Sequence, residues 1–337
     1  SAYGEAVVDI MAAPILPYAH EVFSGERQYP IRLPLIPGCG AIGRVRALGP
    51  DATTLAIGDW VFCDPTVRSR DNAQSPDITL QGWSARGEGG MALHAYFHDG
   101  PFAQQMRLPL ENAIPIGEIE ASQAPAWCAL NGLLIPYGGW LSVGLQPGET
   151  ALVSGATGNL GSAAVTVALA MGASCVIAPG RNRAMLDTLK ARFGGRVRTL
   201  ELSGDTDADT RRMQAVAPAP IDCMMDILPP AVSTRTVEAA IKSVRREGRI
   251  SLMGGVGMLG GDDLRLPYPW IMRNNMTIRG QWMYPADATY RMVGLVKAGL
   301  VSLDHYRIST FKLDDINQAV ANAAEDSPFE MTVVEPQ

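Results

Sequence analysis

Histidine is scarce in this chain and cysteine is unpaired: 337 residues hold four histidines and five cysteines. Cys39, Cys63, Cys128, Cys175 and Cys223 are scattered, odd in number, and never spaced as Cys-x-x-Cys. A disulfide framework and a structural zinc clip are thereby excluded, and a reducing, cytoplasmic setting is expected. There is no apolar run long enough for a membrane span. The chain starts Ser-Ala-Tyr-Gly, without a charged segment leading into an apolar one, so no secretory leader is expected. Cationic excess is also missing: the formal net charge is −6, which argues against a nucleic-acid surface. With 47% hydrophobic and 18% charged residues, the composition is that of an ordinary globular protein with room for two domains.

The most informative segment is Ala-Leu-Val-Ser-Gly-Ala-Thr-Gly-Asn-Leu-Gly at 151–161, followed by an apolar helical pattern. Leu152 and Val153 read as the end of a buried strand, and Gly155, Gly158 and Gly161 as a tight turn into a helix. Such a turn aims backbone N–H groups and the positive end of a helix at a phosphate. A second strand candidate at 174–178 completes the strand–turn–helix–strand context that gives the motif its meaning. The predicted cofactor contacts at the turn are Gly155, Ala156, Thr157, Gly158, Asn159, Leu160 and Gly161. At the end of the second strand, NAD sites usually carry an acid for the ribose 2′-hydroxyl. Here the position is Gly180, followed by Arg181 and Arg183. No carboxylate repels a 2′-phosphate, and two guanidiniums can meet it, so the expected cofactor is NADP(H). The alternative for the arginines is a solvated loop.

Residues 1–122 read as mostly β. Segments 45–49 and 59–63 look like strands that meet across a turn at 51–57. Residues 67–100 read as a long irregular, polar excursion of the kind that forms lids. Residues 102–109 are extended. Further strands are expected at 222–226, 248–253 and 276–280, with a helix at 231–244 between them. A last amphipathic helix at 288–298 precedes a tail that should rejoin the first domain, because it is too short for a core of its own. The expected domains are therefore 1–124 with 283–337, and 125–282.

Several motifs in this order resemble the medium-chain dehydrogenase/reductase superfamily. Pro37-Gly-Cys-Gly-Ala-Ile-Gly-Arg-Val45 is similar to its Pro-Gly-His-Glu-x-x-Gly-x-Val segment. Leu48-Gly49 with Ile57-Gly-Asp-Trp-Val61 resembles its Val-Gly…Val-Gly-Asp-Arg-Val stretch, and Gly100-Pro-Phe-Ala-Gln-Gln105 its Gly-x-Phe-Ala-Glu-Tyr. The resemblance implies an α/β protein: a GroES-like β domain plus a Rossmann domain with a doubly wound parallel sheet. It also implies a homodimer, formed by pairing of the last Rossmann strands, and a small-molecule substrate.

The departures bear on chemistry. Zinc-dependent members take ligands from an early cysteine, from the His of His-Glu, and from a later cysteine. Here the early region, residues 12–20, has no cysteine, and His-Glu is Cys39-Gly40. Cys128 lies near the third position. At most two thiols are offered, with His20 a conceivable third, against the three ligands that catalytic zinc requires. The family's four-cysteine structural lobe is also missing from 67–100. The resemblance then points to the zinc-independent branch of quinone and enoyl reductases, and no metal is expected. The expected reaction is NADPH-dependent hydride transfer to a quinone or an activated double bond. Two alternatives stand beside it: a zinc-free NADP-dependent alcohol dehydrogenase or carbonyl reductase, and a non-catalytic NADPH-binding protein. The loop Gly254, Gly255 and Val256 resembles the one bordering the nicotinamide, with Gln281 and Trp282 turning back toward the cleft. Tyr18 and His20 are the candidate proton donors. Trp83, His94 and Tyr284 are candidates for shaping the substrate pocket.

Overall fold

The computed structural model of the protein describes residues 2–337. The chain divides into two compact units, Ser1–Asn131 with Ser302–Gln337, and Gly132–Val301.

The first unit is β-rich. Its long strand Glu5–Pro14 pairs antiparallel with Ala41–Leu48 on one side and with Gln105–Pro109 on the other. The tail returns as expected: Glu330–Glu335 pairs with the end of that first strand, Ala13 facing Val334. Alternation on the strand buries Val8, Ile10 and Ala12, which join Ile42, Phe62, Leu108 and Ile114 in a core closed to solvent. Ala41–Leu48 and Trp60–Cys63 pair across the expected turn, Ile42 facing Phe62.

Residues 67–100 are more regular than their composition suggests. Thr66–Arg68, Ile78–Leu80 and Ser84–Ala85 form a small antiparallel sheet, and Gly87–His94 is a helix. Five of its polar residues, Ser69, Thr79, Gln81, Ser84 and His94, are buried, while the run 70–75 is exposed. Thr79 and His94 are fully buried and joined at 3.0 Å through Thr79 Oγ1 and His94 Nδ1. The segment is folded wall, not a loose excursion, and His94 lines no opening.

The second unit holds a six-stranded parallel sheet. The strand order is Val197–Glu201, Cys175–Gly180, Thr150–Ser154, Cys223–Asp226, Arg249–Leu252, Thr277–Gly280. In sequence rank within the unit this is 3-2-1-4-5-6, the Rossmann arrangement. The central strand Thr150–Ser154 is buried throughout, which explains its apolar middle, residues 151–153. Side-chain caps start the intervening helices: Asn182 accepts from Met185 N–H, Asp205 from Ala208 N–H and Ser233 from Arg235 N–H.

The division corrects the expected second boundary. Helix Ala288–Lys297 belongs to the α/β unit, not to the first domain. The reason is local packing: Met283 and Tyr284 lie against Gly138, and Arg291 bonds the Tyr137 hydroxyl. The first boundary likewise falls after Asn131, not after residue 124.

Candidate active-site elements

Parallel strands bring the predicted cofactor residues to one edge of the sheet. Ser154, Gly180, Asp226, Leu252 and Gly280 all end their strands on the same side. The strand order reverses between Thr150–Ser154 and Cys223–Asp226, where this fold opens its dinucleotide crevice.

The glycines at the turn have separate physical duties. Gly155 has φ +95°, a conformation that disfavours other residues. Gly158 caps helix Asn159–Ala170 with extended backbone and no side-chain bond, so the start of the helix points its positive end outward without a capping side chain from that residue. At Gly161 a Cβ would collide with the Gly155 carbonyl, so helix and strand approach as closely as backbone allows. That cradle fits a pyrophosphate. Thr157 reaches sideways: a Cβ on Gly180 would run into its methyl group. Gly180 is thus enforced by packing as well as lacking an acid.

Arg181 and Arg183 are exposed, and neither guanidinium has a hydrogen-bond or ion-pair partner among the described residues. They flank the start of helix Arg183–Phe193, whose first turn holds no acid. Two cations at the positive end of a helix are mutually unfavourable until an anion joins them. Gly254, Gly255 and Val256 are half-buried just past strand Arg249–Leu252. Gln281 donates its backbone N–H to Leu252 and its amide to the carbonyl of Met283, while Trp282 is 40% exposed.

Asp226 is a participant that sequence reasoning missed. It ends an apolar strand, is buried, and accepts from Ser154 Oγ at 2.9 Å. The signal was an acid closing a run of apolar residues, a costly placement without partners. A surface groove of about 390 Å³ near Gln214, Pro220 and Arg245 lies at the opposite edge of the sheet, away from this chemistry.

In the first unit, Tyr18 precedes the short helix Ala19–Ser24 and is half-buried. Its ring meets Trp83 edge-on at 5.9 Å, and the Arg27 guanidinium lies 4.3 Å from the ring centroid. Arg27 is held in turn by Glu21 at 2.7 Å. Burial pushes the Tyr18 phenol above its usual range, with Tyr29 and Cys39 adding to that and Arg27 opposing it. The group is therefore a neutral hydroxyl at physiological pH. His20 is exposed on the same helix. Trp83 is buried beneath Tyr18, Phe23 and Tyr29. Tyr284 is also buried, in the α/β unit, so both serve packing first.

Zinc, implied for much of the resembling family, can be tested against these residues. Among the described residues no three His, Cys, Asp or Glu side chains are grouped to hold a metal ion. Cys39 and Cys63 are buried thiols pushed up to about 12, by burial first and by Asp64 second. At Gly40, φ is +77° and a Cβ would sit 2.8 Å from Asn131 Oδ1, so the Glu of His-Glu has no room. The residues present do not fit a catalytic zinc.

Comparison with known proteins agrees with the architecture. A family described as alcohol dehydrogenase GroES-like domain matches residues 2–118, and one described as zinc-binding dehydrogenase matches 159–298. An alcohol dehydrogenase of Geobacillus stearothermophilus is 27% identical over 256 residues, 75% of this chain and 70% of that protein. A zinc-binding dehydrogenase structure from Sinorhizobium meliloti 1021, bound to NADP, shares the fold with TM-score 0.76 at 20% identity, covering 100% of this chain and 93% of the other. A short chain alcohol dehydrogenase from E. coli CFT073, complexed with NADH, matches with TM-score 0.76 at 18% identity, covering 99% and 93%. With its GroES-like domain and its Rossmann-type dehydrogenase domain, the chain belongs to the medium-chain dehydrogenase/reductase superfamily of nicotinamide-dependent oxidoreductases.

Proposed function

We propose that this protein is an NADP(H)-dependent oxidoreductase that passes a hydride to a quinone or an α,β-unsaturated carbonyl without catalytic zinc. The carrying observation is the pair of unpartnered cations, Arg181 and Arg183, beside an acid-free Gly180. The turn from Gly155 to Gly161 holds the pyrophosphate through backbone N–H groups. Arg181 and Arg183 hold the 2′-phosphate, and Gly254, Gly255, Val256, Gln281 and Trp282 border the nicotinamide. The bound cofactor supplies the hydride.

Tyr18 donates a proton to the oxygen that becomes anionic as the conjugated system is reduced, with His20 as the competing donor. The neutral, Arg27-stacked phenol suits that role. The zinc-free part of the reading is supported by the buried Cys39 thiol in place of the His ligand and by residues 12–20, which hold no cysteine. A screen of NADPH oxidation over quinones, enones, aldehydes and ketones, with elemental analysis of the same preparation, tests it. Turnover of quinones or enones by zinc-free protein is expected. Efficient oxidation of simple alcohols alone would favour the alcohol dehydrogenase reading that the Geobacillus relative's name suggests. Stoichiometric zinc required for activity would end the zinc-free reading.

The same reading includes a homodimer. Strand Thr277–Gly280 pairs on one side only, and the preceding helix exposes Tyr268 and Met272. Light scattering should give twice the chain mass at micromolar concentration; a monomer would refute it.

A further inference from the structure

Asp226 stands opposite Ser154 in one strand pairing and opposite Leu252 in the next. The residue is 3% exposed. Ser154 Oγ donates to Oδ1 at 2.9 Å, and the Leu228 backbone N–H donates to the same carboxyl. Oδ2 fills the space over Gly254, where any Cβ would collide with it. One carboxyl thus bonds the end of the Ser154 strand to its own and packs against the loop that follows a third. Ser154 leads directly into the Gly155 turn, and Leu252 into the loop at Gly254. Beyond Asp226 itself comes Ile227, whose carbonyl carbon would lie 3.2 Å from a Cβ on Gly155.

The surroundings of this carboxyl are neutral. From its own strand and the following turn it meets the Leu228 amide, from Thr150–Ser154 a hydroxyl, and from the segment after Arg249–Leu252 a glycine. The nearest ion pair on these strands, Arg249 with Glu149, sits at their far ends. Burial without a countercharge pushes Asp226 up to about 6, with Ser154 and Leu228 only partly offsetting it.

We propose that Asp226 is a positioning residue for the nicotinamide cofactor and takes up a proton when the cofactor's pyrophosphate docks on the glycine turn. The inference rests on the reading that the cofactor seats at that turn, and on no other part of the proposed function. The physics is repulsion between like charges across a poorly polarisable medium: a carboxylate held by Ser154, the residue that leads into Gly155, opposes an incoming diphosphate. A proton from solvent cancels the opposition, and the carboxylic acid still accepts from Ser154 and Leu228, so the two strand ends stay joined. Linkage then requires cofactor affinity to rise as pH falls, on the order of tenfold between pH 8 and pH 6.

Isothermal titration calorimetry in buffers of different ionisation enthalpy tests this, since it counts protons directly. NADH is the cleaner probe, because the 2′-phosphate of NADPH titrates in the same range. The unmodified protein should take up about half a proton near pH 6.5 and essentially none at pH 8.5. Asp226→Asn should take up none at either pH and bind with pH-independent affinity. Ser154→Ala, which removes a donor to the carboxylate, should move the uptake window to higher pH and reports even if the Asn variant folds poorly. Equal uptake in the parent protein and Asp226→Asn, or binding without uptake in the parent, overturns the proposal. An unmoved window in Ser154→Ala also counts against it. Failure of both NADH and NADPH to bind at any pH removes the cofactor reading itself, and this role with it.

Discussion

The glycine turn of the α/β unit is built from backbone, while the Tyr18 region of the split β unit is built from side chains. At the turn, the groups offered to a ligand are N–H donors fixed by φ and by the close approach of Gly161 to Gly155. At Tyr18, what matters is a phenol set edge-on against Trp83 and braced by Arg27. The first kind of site does not tolerate an added methyl group but is indifferent to most side-chain chemistry. The second should keep its shape when one hydroxyl is removed and, on the proposed reading, lose most of its rate. The two regions should therefore fail in different ways.

The largest effect should come from Gly161→Val. Its Cβ would meet the Gly155 carbonyl, so the helix must move off the strand. Loss of measurable NADPH binding is expected, with the fold weakened by roughly 1–3 kcal/mol as for other overpacked positions. Fluorescence titration and thermal melting read the two losses; a variant that binds like the parent would move the cofactor away from this turn. Next is Tyr18→Phe, which should lower kcat about 100-fold with NADPH affinity retained, as for loss of an oxyanion donor. Unchanged turnover would clear Tyr18 and leave His20 or water as the donor. Arg181→Ala should weaken NADPH roughly tenfold to a hundredfold by removing one charge-assisted phosphate contact, and leave NADH nearly unchanged. Equal loss for both cofactors would put the arginine elsewhere than at the 2′-phosphate.

The smallest effect separates the regions by sign. Burial, then His98 and Arg32, hold His94 below its usual value. Its contribution to the split β unit is present above the unfolded histidine value and is lost as pH falls through the folded one. Asp226 runs the other way. Its folded value near 6 lies above the unfolded one, so the α/β unit regains stability as pH drops from 7 toward 4. Hydrogen exchange resolved by segment, between pH 7 and pH 5, should show protection falling around Thr79–His94 and rising, by about 1 kcal/mol, around Ser154–Asp226. Parallel changes would mean that neither group controls its unit.

What could be read in advance follows the same divide. The strand at 222–226 is legible because a parallel core writes an apolar run, Cys223–Met225, and the turn because a positive φ at Gly155 favours glycine; the strand at 276–280 is an exposed edge whose apolar residues only alternate. Residues 67–100 were misjudged as irregular. Strands of two and three residues carry no period, and their stability comes from partners such as Thr79 for His94 that nothing local announces. The helix Ala288–Lys297 was assigned to the wrong unit because its anchors, Tyr137 and Gly138, lie far upstream. Asp226 went unnoticed for a related reason: two of its neighbours, Ser154 and Gly254, come from other strands or the loops after them.

Thr157 against Gly180 constrains how this site could be redesigned. An acid placed at 180 to favour an unphosphorylated ribose needs the volume that the threonine methyl already fills. A change of cofactor preference by that route is a two-step path whose first step alone is penalised, whichever residue changes first. Replacing Gly180 first forces a clash; trimming Thr157 first leaves a void without any new contact to the ribose. In a paired library at positions 157 and 180, acids at 180 should survive only beside glycine or alanine at 157, and acids recovered with Thr157 intact would show that the strand end can yield.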